Sequence, residues 1–398
     1  MQVKERVILH SDVNNFFASV ECASKSELKD KPVAVTGNPQ KRTGIILAKN
    51  EIAKKFGVKT GQIIGEAKAI CPALVCLPPH YDLYEEISGQ LHALYLNYTN
   101  FVEPLGLDEC WLDVTDSLKY LKMTGVQIAD EIRQKVKQEF GFTVSVGVSF
   151  SKIFAKLGSD LRKPDFTTCI ERKDIEKVVY PLPLNSIVGI GKRLEKKFFS
   201  IGIETIGDFV KLEERYLENL MGINGLRLKR DLLGEREEKV ADYYSLPAPK
   251  SIGNGTTTLK DIMDRRDVEK VIYFLAEKIS YRMIKHKVLA STLSITLKTK
   301  DLKTYHISRK INPTNGIDDL AKNALALCDK IWKYNYPLRA IRVKGSNFTS
   351  ANARQLSLFD EVKPDFSQTL KYINDKYGKI GLASDSASFI NKSSHPQE

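Results

Sequence analysis

The chain opens on a short apolar run, Val7-Ile8-Leu9, that breaks at His10 and ends at Asp12. Its length predicts a strand with Asp12 at its end. In the next stretch Phe17, Val20 and, less regularly, Leu28 fall at helical spacing. Residues 81 to 98 place Leu83, Ile87, Leu91, Leu94 and Tyr98 on one side of a helix. The following FVEPLGLDECWLDV predicts two short strands around a turn near Gly106 to Glu109, and residues 143 to 150 alternate as another strand. Strand, helix, hairpin, helix and strand in that order predict an α+β unit, a mixed sheet with helices packed on one face.

Beyond it the pattern changes. Residues 171 to 235 are mostly helical around a short loop, Val188 to Gly191, while 236 to 249 carry no periodicity and predict a linker. A helix over 268 to 286, alternating Leu293-Ile295-Leu297, a helix around 318 to 335 and a strand-like AIRVKGSNF predict a second, smaller α+β domain. From about 351 the sequence turns polar, which predicts partial disorder.

Composition sharpens this outline. A chain of 398 residues, 42% hydrophobic, is long enough for three or four separate cores. Its six cysteines contain no C-x-x-C pair, so neither a zinc knuckle nor a disulfide framework is expected, and a reducing cytosol is. The first residues lack the apolar length of a signal peptide or a membrane span, which predicts a soluble cytoplasmic protein. The net charge is +12, and residues 250 to 350 hold 20 Lys and Arg against 9 Asp and Glu. Nearly all the excess lies in one segment, the first candidate for gripping a polyanion such as DNA.

Three acids stand out: Asp12 at a strand end, and Asp108 with Glu109 in a hairpin turn. Neighbours in a regular strand point to opposite faces, so both turn acids reach one site only if the turn breaks the alternation, and Gly106 permits that. Oxygen ligands alone suit magnesium or manganese rather than zinc. Two such ions about 3.5 to 4 Å apart can activate an attacking hydroxyl and neutralise a leaving oxygen in phosphoryl transfer. Taken alone, an Asp-Glu pair in a turn is more often a solvated surface pair. The loop at Gly189 and Gly191, before a basic helix, has the look of a helix-hairpin-helix whose backbone N–H groups hold a phosphate. In the polar tail, Gln355-Leu356-Ser357-Leu358-Phe359 is an isolated apolar cluster.

Four blocks in order, SDVNNFFASVE at 11 to 21, KKFGVKTG at 54 to 61, GLDECWLDVTD at 106 to 116 and GVSFSKIFAKLGSDLRKPD at 147 to 165, resemble the signature blocks of the Y family of translesion DNA polymerases. The similarity is nearest to the bacterial DinB branch. It implies a right-hand polymerase: palm at 1–13 and 81–170, fingers at 14–80, a helical thumb with the helix-hairpin-helix at 171–235, a linker at 236–249, a DNA-gripping little finger at 250–350 and a flexible tail at 351–398.

Residue by residue, the resemblance makes Asp12, Asp108 and Glu109 the catalytic metal ligands, with the Val13 carbonyl completing one shell of two Mg²⁺, for which Mn²⁺ is a substitute. Phe16, Phe17, Lys54 and Lys163 match the nucleotide site. Phe17 is the steric gate against a ribose 2′-hydroxyl, whereas Phe16 competes as a core residue. The chain departs from the family where Glu51 and Lys54 replace a Tyr and an Arg, since lysine lacks the bidentate fork of arginine. Asn14, Gly106 and Leu107 also depart, and none of these removes a metal ligand.

Primer-template DNA, dNTPs and the bacterial sliding clamp are the implied partners, for a monomer working away from membranes. Gly189 and Gly191 in the thumb, and Lys298, Lys300 and Arg309 with Lys303 and Lys310 in the little finger, are expected to hold DNA. Gln355, Leu356, Leu358 and Phe359 match the clamp-binding peptide. The implied reaction is template-directed, low-fidelity DNA synthesis past damaged bases. A UmuC-like enzyme needing an accessory subunit, a non-catalytic clamp-bound repair adaptor and a cyclase-like enzyme on the same topology are the rival readings.

Overall fold

The computed structural model describes residues 5–37, 44–236, 238–333 and 336–351. Within them the chain forms two compact units, one running to Leu246 and the other beginning at Pro247. The first unit starts with β1 (Ile8–Val13) and α1 (Phe16–Ala23). A small layer follows: β2 (Val33–Thr36), β3 (Ile46–Lys49), α2 (Glu51–Lys55), α3 (Ile64–Ile70) and β4 (Val75–Leu77). Its three strands lie in the order β3-β2-β4 over Ala34, Ile46, Ala53 and Leu74. Asn50 ties helix to sheet, because its side-chain oxygen caps α2 at the Ala53 N–H and also accepts from the Val33 N–H of β2.

The chain continues through α4 (Tyr81–Leu96), β5 (Val102–Leu105), β6 (Glu109–Asp113), α5 (Ser117–Leu121), α6 (Gly125–Phe140), β7 (Val144–Ser149), α7 (Lys152–Leu161) and β8 (Thr167–Ile170). The strands form a mixed five-stranded sheet, β5-β6-β1-β7-β8, with β1 antiparallel to both neighbours and β7 parallel to β8. On one face Leu9, Leu112, Val144 and Val146 pack with Leu91 and Leu94 of α4 and Ile128 and Ile132 of α6.

The other face is covered as well, which corrects the expectation of helices on one side. Ile8 meets Ala155 of α7, and His10 is hydrogen-bonded to Ser159 of the same helix. The alternation in β7 conceals this second layer because Ser145, Gly147 and Ser149 are small enough to accept a helix, and the whole strand is buried.

After β8 come α8 (Lys192–Phe199), α9 (Ile206–Lys211), α10 (Glu214–Met221) and α11 (Ile223–Leu232). Phe198, Phe209, Leu217 and Leu232 share a core with Phe154 and Leu157 of α7 and with Ile170 of β8, so this helical layer is fastened to the sheet through α7 and the end of β8. Ahead of Gly189 stand the short helical turns Arg172–Asp174, Ile175–Val179 and Leu184–Ser186. The stretch beginning at 236 is less loose than its sequence predicts. Val240 packs on Ile8 and Ala155, the Ala241 N–H donates to Glu103, and the Tyr243 N–H donates to the Asn100 carbonyl.

The second unit consists of β9 (Ser251–Ile262), α12 (Arg265–Lys285), β10 (Val288–Thr299), β11 (Thr304–Thr314), α13 (Ile317–Ile331) and β12 (Leu338–Ser350). An antiparallel sheet in the order β11-β10-β12-β9 packs Leu293, Ile295, Leu297, Ile341 and Val343 against both helices. Gln355, Leu356, Leu358 and Phe359 lie outside the described residues. Among those described, no helix is long and apolar enough to cross a membrane.

Candidate active site

The site forms where the central strand β1 ends. Asp12 stands opposite Glu109 of β6 in the antiparallel register, which brings both side chains to one face. Gly106, at φ +81°, turns the β5–β6 hairpin, and the Val13 N–H donates to the Asp108 carbonyl at 3.0 Å. Asp108 therefore lies in the turn and escapes the strand alternation. All three acids border a cavity of about 520 Å³, together with Val13, Phe16 and Phe17.

Two lysines enter the cavity from α7 and the loop after it. Lys163 Nζ lies 2.6 Å from Asp12 and 2.7 Å from Asp160, while Lys156 is bonded to Glu109 and stands 4.0 Å from Asp12. Burial raises the Asp12 carboxyl to about 6 against the opposing pull of Lys163. Burial and then the Glu109 charge also raise Asp108. Burial opposes the charge of Glu109 too, but hydrogen bonds with His10 and Lys156 outweigh it and hold that carboxyl near 2. Burial lowers the His10 imidazole, which lies 3.4 Å behind Glu109 and is anchored by Ser159.

The donor chemistry, carboxylates with a strand-end carbonyl, fits a hard divalent cation. As placed, no three His, Cys, Asp or Glu side chains among the described residues converge tightly enough to hold one. The reason is visible in the ion pairs: Asp12 faces Lys163 and Glu109 faces Lys156, so ammonium groups take up the negative charge. A cation entering there must draw the carboxylates off the lysines.

The aromatic wall has two parts. Phe16 is 3% exposed and belongs to the core, although one edge reaches the cavity. Phe17 is half-buried and stacks on Tyr84, centroids 4.4 Å apart and planes 14° from parallel. Tyr84 is fixed in turn, since its hydroxyl donates to Glu21 at 2.7 Å.

Lys54 departs from expectation. It is not among the residues lining the cavity and instead pairs with Glu51 at 3.3 Å, whose carboxylate also accepts from Asn15 at 2.7 Å. Lys49 of β3 lines the cavity in its place, beside Leu47, Ala48 and Thr60. Period-two reading of this four-residue strand, with Ile46 in the core, is the signal that could have found it.

The remaining wall is Asn185 to Val188, just before the glycine loop. Gly189 has φ +100° with open space where a Cβ would stand, and Gly191 precedes α8 with no side-chain cap, so this backbone is accessible.

In the second unit Lys298 and Lys300 are exposed. Arg309 is not their companion: it lies opposite Leu293, on the helix side of the sheet, and bonds Asn323 of α13 at 2.6 Å. Arg342 and Lys344 of β12, which the sequence reading did not single out, are exposed on this sheet. They alternate with the buried Ile341 and Val343, and their stems lie over Gly253 and Gly255 of β9, where a Cβ would crowd them. With Lys298 and Lys310 they give the face away from the helices a positive charge.

Comparison with known proteins gives a consistent set of similarities. The impB/mucB/samB family profile matches residues 11–160, its C-terminal domain matches 249–358, and the helix-hairpin-helix motif of the same family matches 172–203. A DNA polymerase IV of Acetivibrio thermocellus is 40% identical over 362 residues, 90% of each chain. DNA polymerase IV of Bacillus velezensis is 34% identical over 386 residues, 95% of this chain and 92% of the relative. A solved Y-family DNA polymerase chimera superposes with a TM-score of 0.77 at 25% identity, covering 86% of this chain and 99% of its own.

Proposed function

The chain belongs to the Y family of DNA polymerases, in the bacterial DinB branch, and from that premise we propose that it extends a DNA primer along a template and past damaged template bases. It is a DNA-directed DNA polymerase whose substrates are primed DNA and dNTPs. The observation that carries the reading is the set of three carboxylates, Asp12, Asp108 and Glu109, on one cavity at the end of β1.

Divalent metal ions, two Mg²⁺ with Mn²⁺ as substitute, supply activation of the primer 3′-hydroxyl and neutralisation of the leaving oxygens when bound. Asp12, Asp108, Glu109 and the Val13 carbonyl would hold them. Lys163 and Lys156 favour the charged form of Asp12 and Glu109 and would be freed for phosphate once a cation held those carboxylates. Phe17, locked flat on Tyr84, stands as a fixed edge against the sugar of the incoming nucleotide and excludes a 2′-hydroxyl.

The open backbone at Gly189 and Gly191 and the basic sheet face with Lys298, Arg342 and Lys344 grip DNA phosphates without reading sequence. The tail segment Gln355 to Phe359 binds the sliding clamp, and the enzyme works as a cytoplasmic monomer. Retention of all three acids favours this over a non-catalytic adaptor, and neither the accessory-dependent nor the cyclase reading draws support from a specific feature.

The deciding experiment is extension of a primed template with magnesium. Wild type should extend with dNTPs and poorly with rNTPs. Asp108→Ala should lower extension by about a hundred- to a thousandfold, the scale lost with a catalytic electrostatic group, and leave DNA affinity within about twofold because no phosphate grip is removed. DNA binding that falls in parallel with extension would count against this role for Asp108.

A further inference from the structure

We propose that Lys49 makes a phosphate contact to the incoming nucleotide, the role that the sequence assigns to Lys54. This inference rests on the polymerase reading of the same cavity. Lys54 is neutralised where it stands, since Glu51 holds it at 3.3 Å and is itself held by Asn15 across to the end of β1. Releasing Lys54 toward a substrate would leave the Glu51 carboxylate uncompensated beside a triphosphate, an arrangement of like charges. Lys49 carries no such restraint.

Lys49 is the last residue of β3 and lines the same cavity as Asp12, Asp108, Glu109 and Lys163. Among the described residues its ammonium has no carboxylate partner; it donates only to the Thr60 hydroxyl, at 3.3 Å. Lys156 and Lys163, the other lysines of the cavity, are both engaged by acids. Burial, with the nearby Lys54 charge, disfavours the Lys49 ammonium and outweighs a smaller favourable pull from Glu51, and an anion entering the cavity relieves that penalty. The side chain is thus a cation awaiting an anion on the wall that faces the metal acids.

The test measures dNTP affinity on dideoxy-terminated primer-template, and steady-state kinetics on extendable DNA, for wild type and Lys49→Met. Methionine keeps the stem and removes the charge. The dNTP dissociation constant and KM should each rise about tenfold, the lower range for one charge-assisted hydrogen bond, with DNA affinity unchanged, and Lys49→Arg should restore most of the loss. Unchanged dNTP affinity in a folded Lys49→Met overturns the inference. So does a parallel loss of DNA affinity, which would mark the template backbone as the phosphate source, and so does a failure of Lys49→Arg to recover affinity, which would mark a merely structural role. Failure of wild type to extend any primer is a different result, because it removes the polymerase reading itself.

Discussion

Glu21 shows how a single residue outside the chemistry can hold the nucleotide wall in place. Its carboxylate is 1% exposed and accepts from His80 at 2.6 Å, Tyr84 at 2.7 Å and Lys25 at 3.2 Å. Burial works against the charge, but these donors outweigh it and the carboxyl lies below its ordinary value of 4.5. A depressed carboxyl contributes stability that is fully present above the unfolded value and is lost as pH falls through the folded one. Glu21→Gln should therefore destabilise the protein by about 2 kcal/mol near neutrality, the scale of a hydrogen bond to a charged group. Urea melts should show the gap closing as pH drops below about 4.5, the ordinary carboxyl value. A gap that stays constant with pH would mean that the charge is not what stabilises Tyr84. The three acids of the cavity were legible at this scale because the motif carries them. Lys49 was not, because the choice between it and Lys54 depends on which lysine Glu51 reaches.

At the scale of elements, β7 and α7 decide how the site is backed. A Cβ on Gly147 would come within 1.8 Å of the Ala155 carbonyl, and one on Gly158 within 3.1 Å of Gly147 Cα. The two glycines let α7 lie directly on the sheet, and that closeness delivers Lys156 to Glu109. Gly147→Ala should cost on the order of 3 kcal/mol, as overpacking against backbone does, and thermal unfolding should show a clearly lowered midpoint. An unshifted midpoint would mean that α7 can move off the sheet freely. Strands β1, β5, β6 and β7 were readable from apolar periodicity. β9 and β11 were not, since β9 is rich in Gly and Thr and β11 is a largely exposed edge strand, and neither has enough buried apolar positions to mark a period.

For the molecule as a whole, charge is unevenly divided. Residues 250 to 350 carry an excess of +11 out of a net +12, so the rest of the chain is nearly balanced and the attraction for a polyanion is concentrated in this segment. Removing the tail after Ala351 should leave clamp-free primer extension within about twofold of wild type and abolish stimulation by the sliding clamp, because a short peptide anchor carries its affinity in a few apolar side chains. Extension assays with and without clamp check this, and stimulation that survives truncation would remove Gln355 to Phe359 from the role.

The sequence by itself determined the order of elements with strong periodicity, the family through its four blocks, the three acids, and the location of the positive charge. These are local or additive properties: a strand period, a motif and a charge sum are all present before the chain folds. Tertiary structure decided the rest. It set α7 on the second face of the sheet, turned Arg309 to the helix side, fixed Phe17 on Tyr84, and gave the cavity to Lys49 while Glu51 held Lys54. The first three depend on partners distant in sequence, which no local pattern records; Glu51 lies one turn from Lys54, but its own placement is set by Asn15 across the fold.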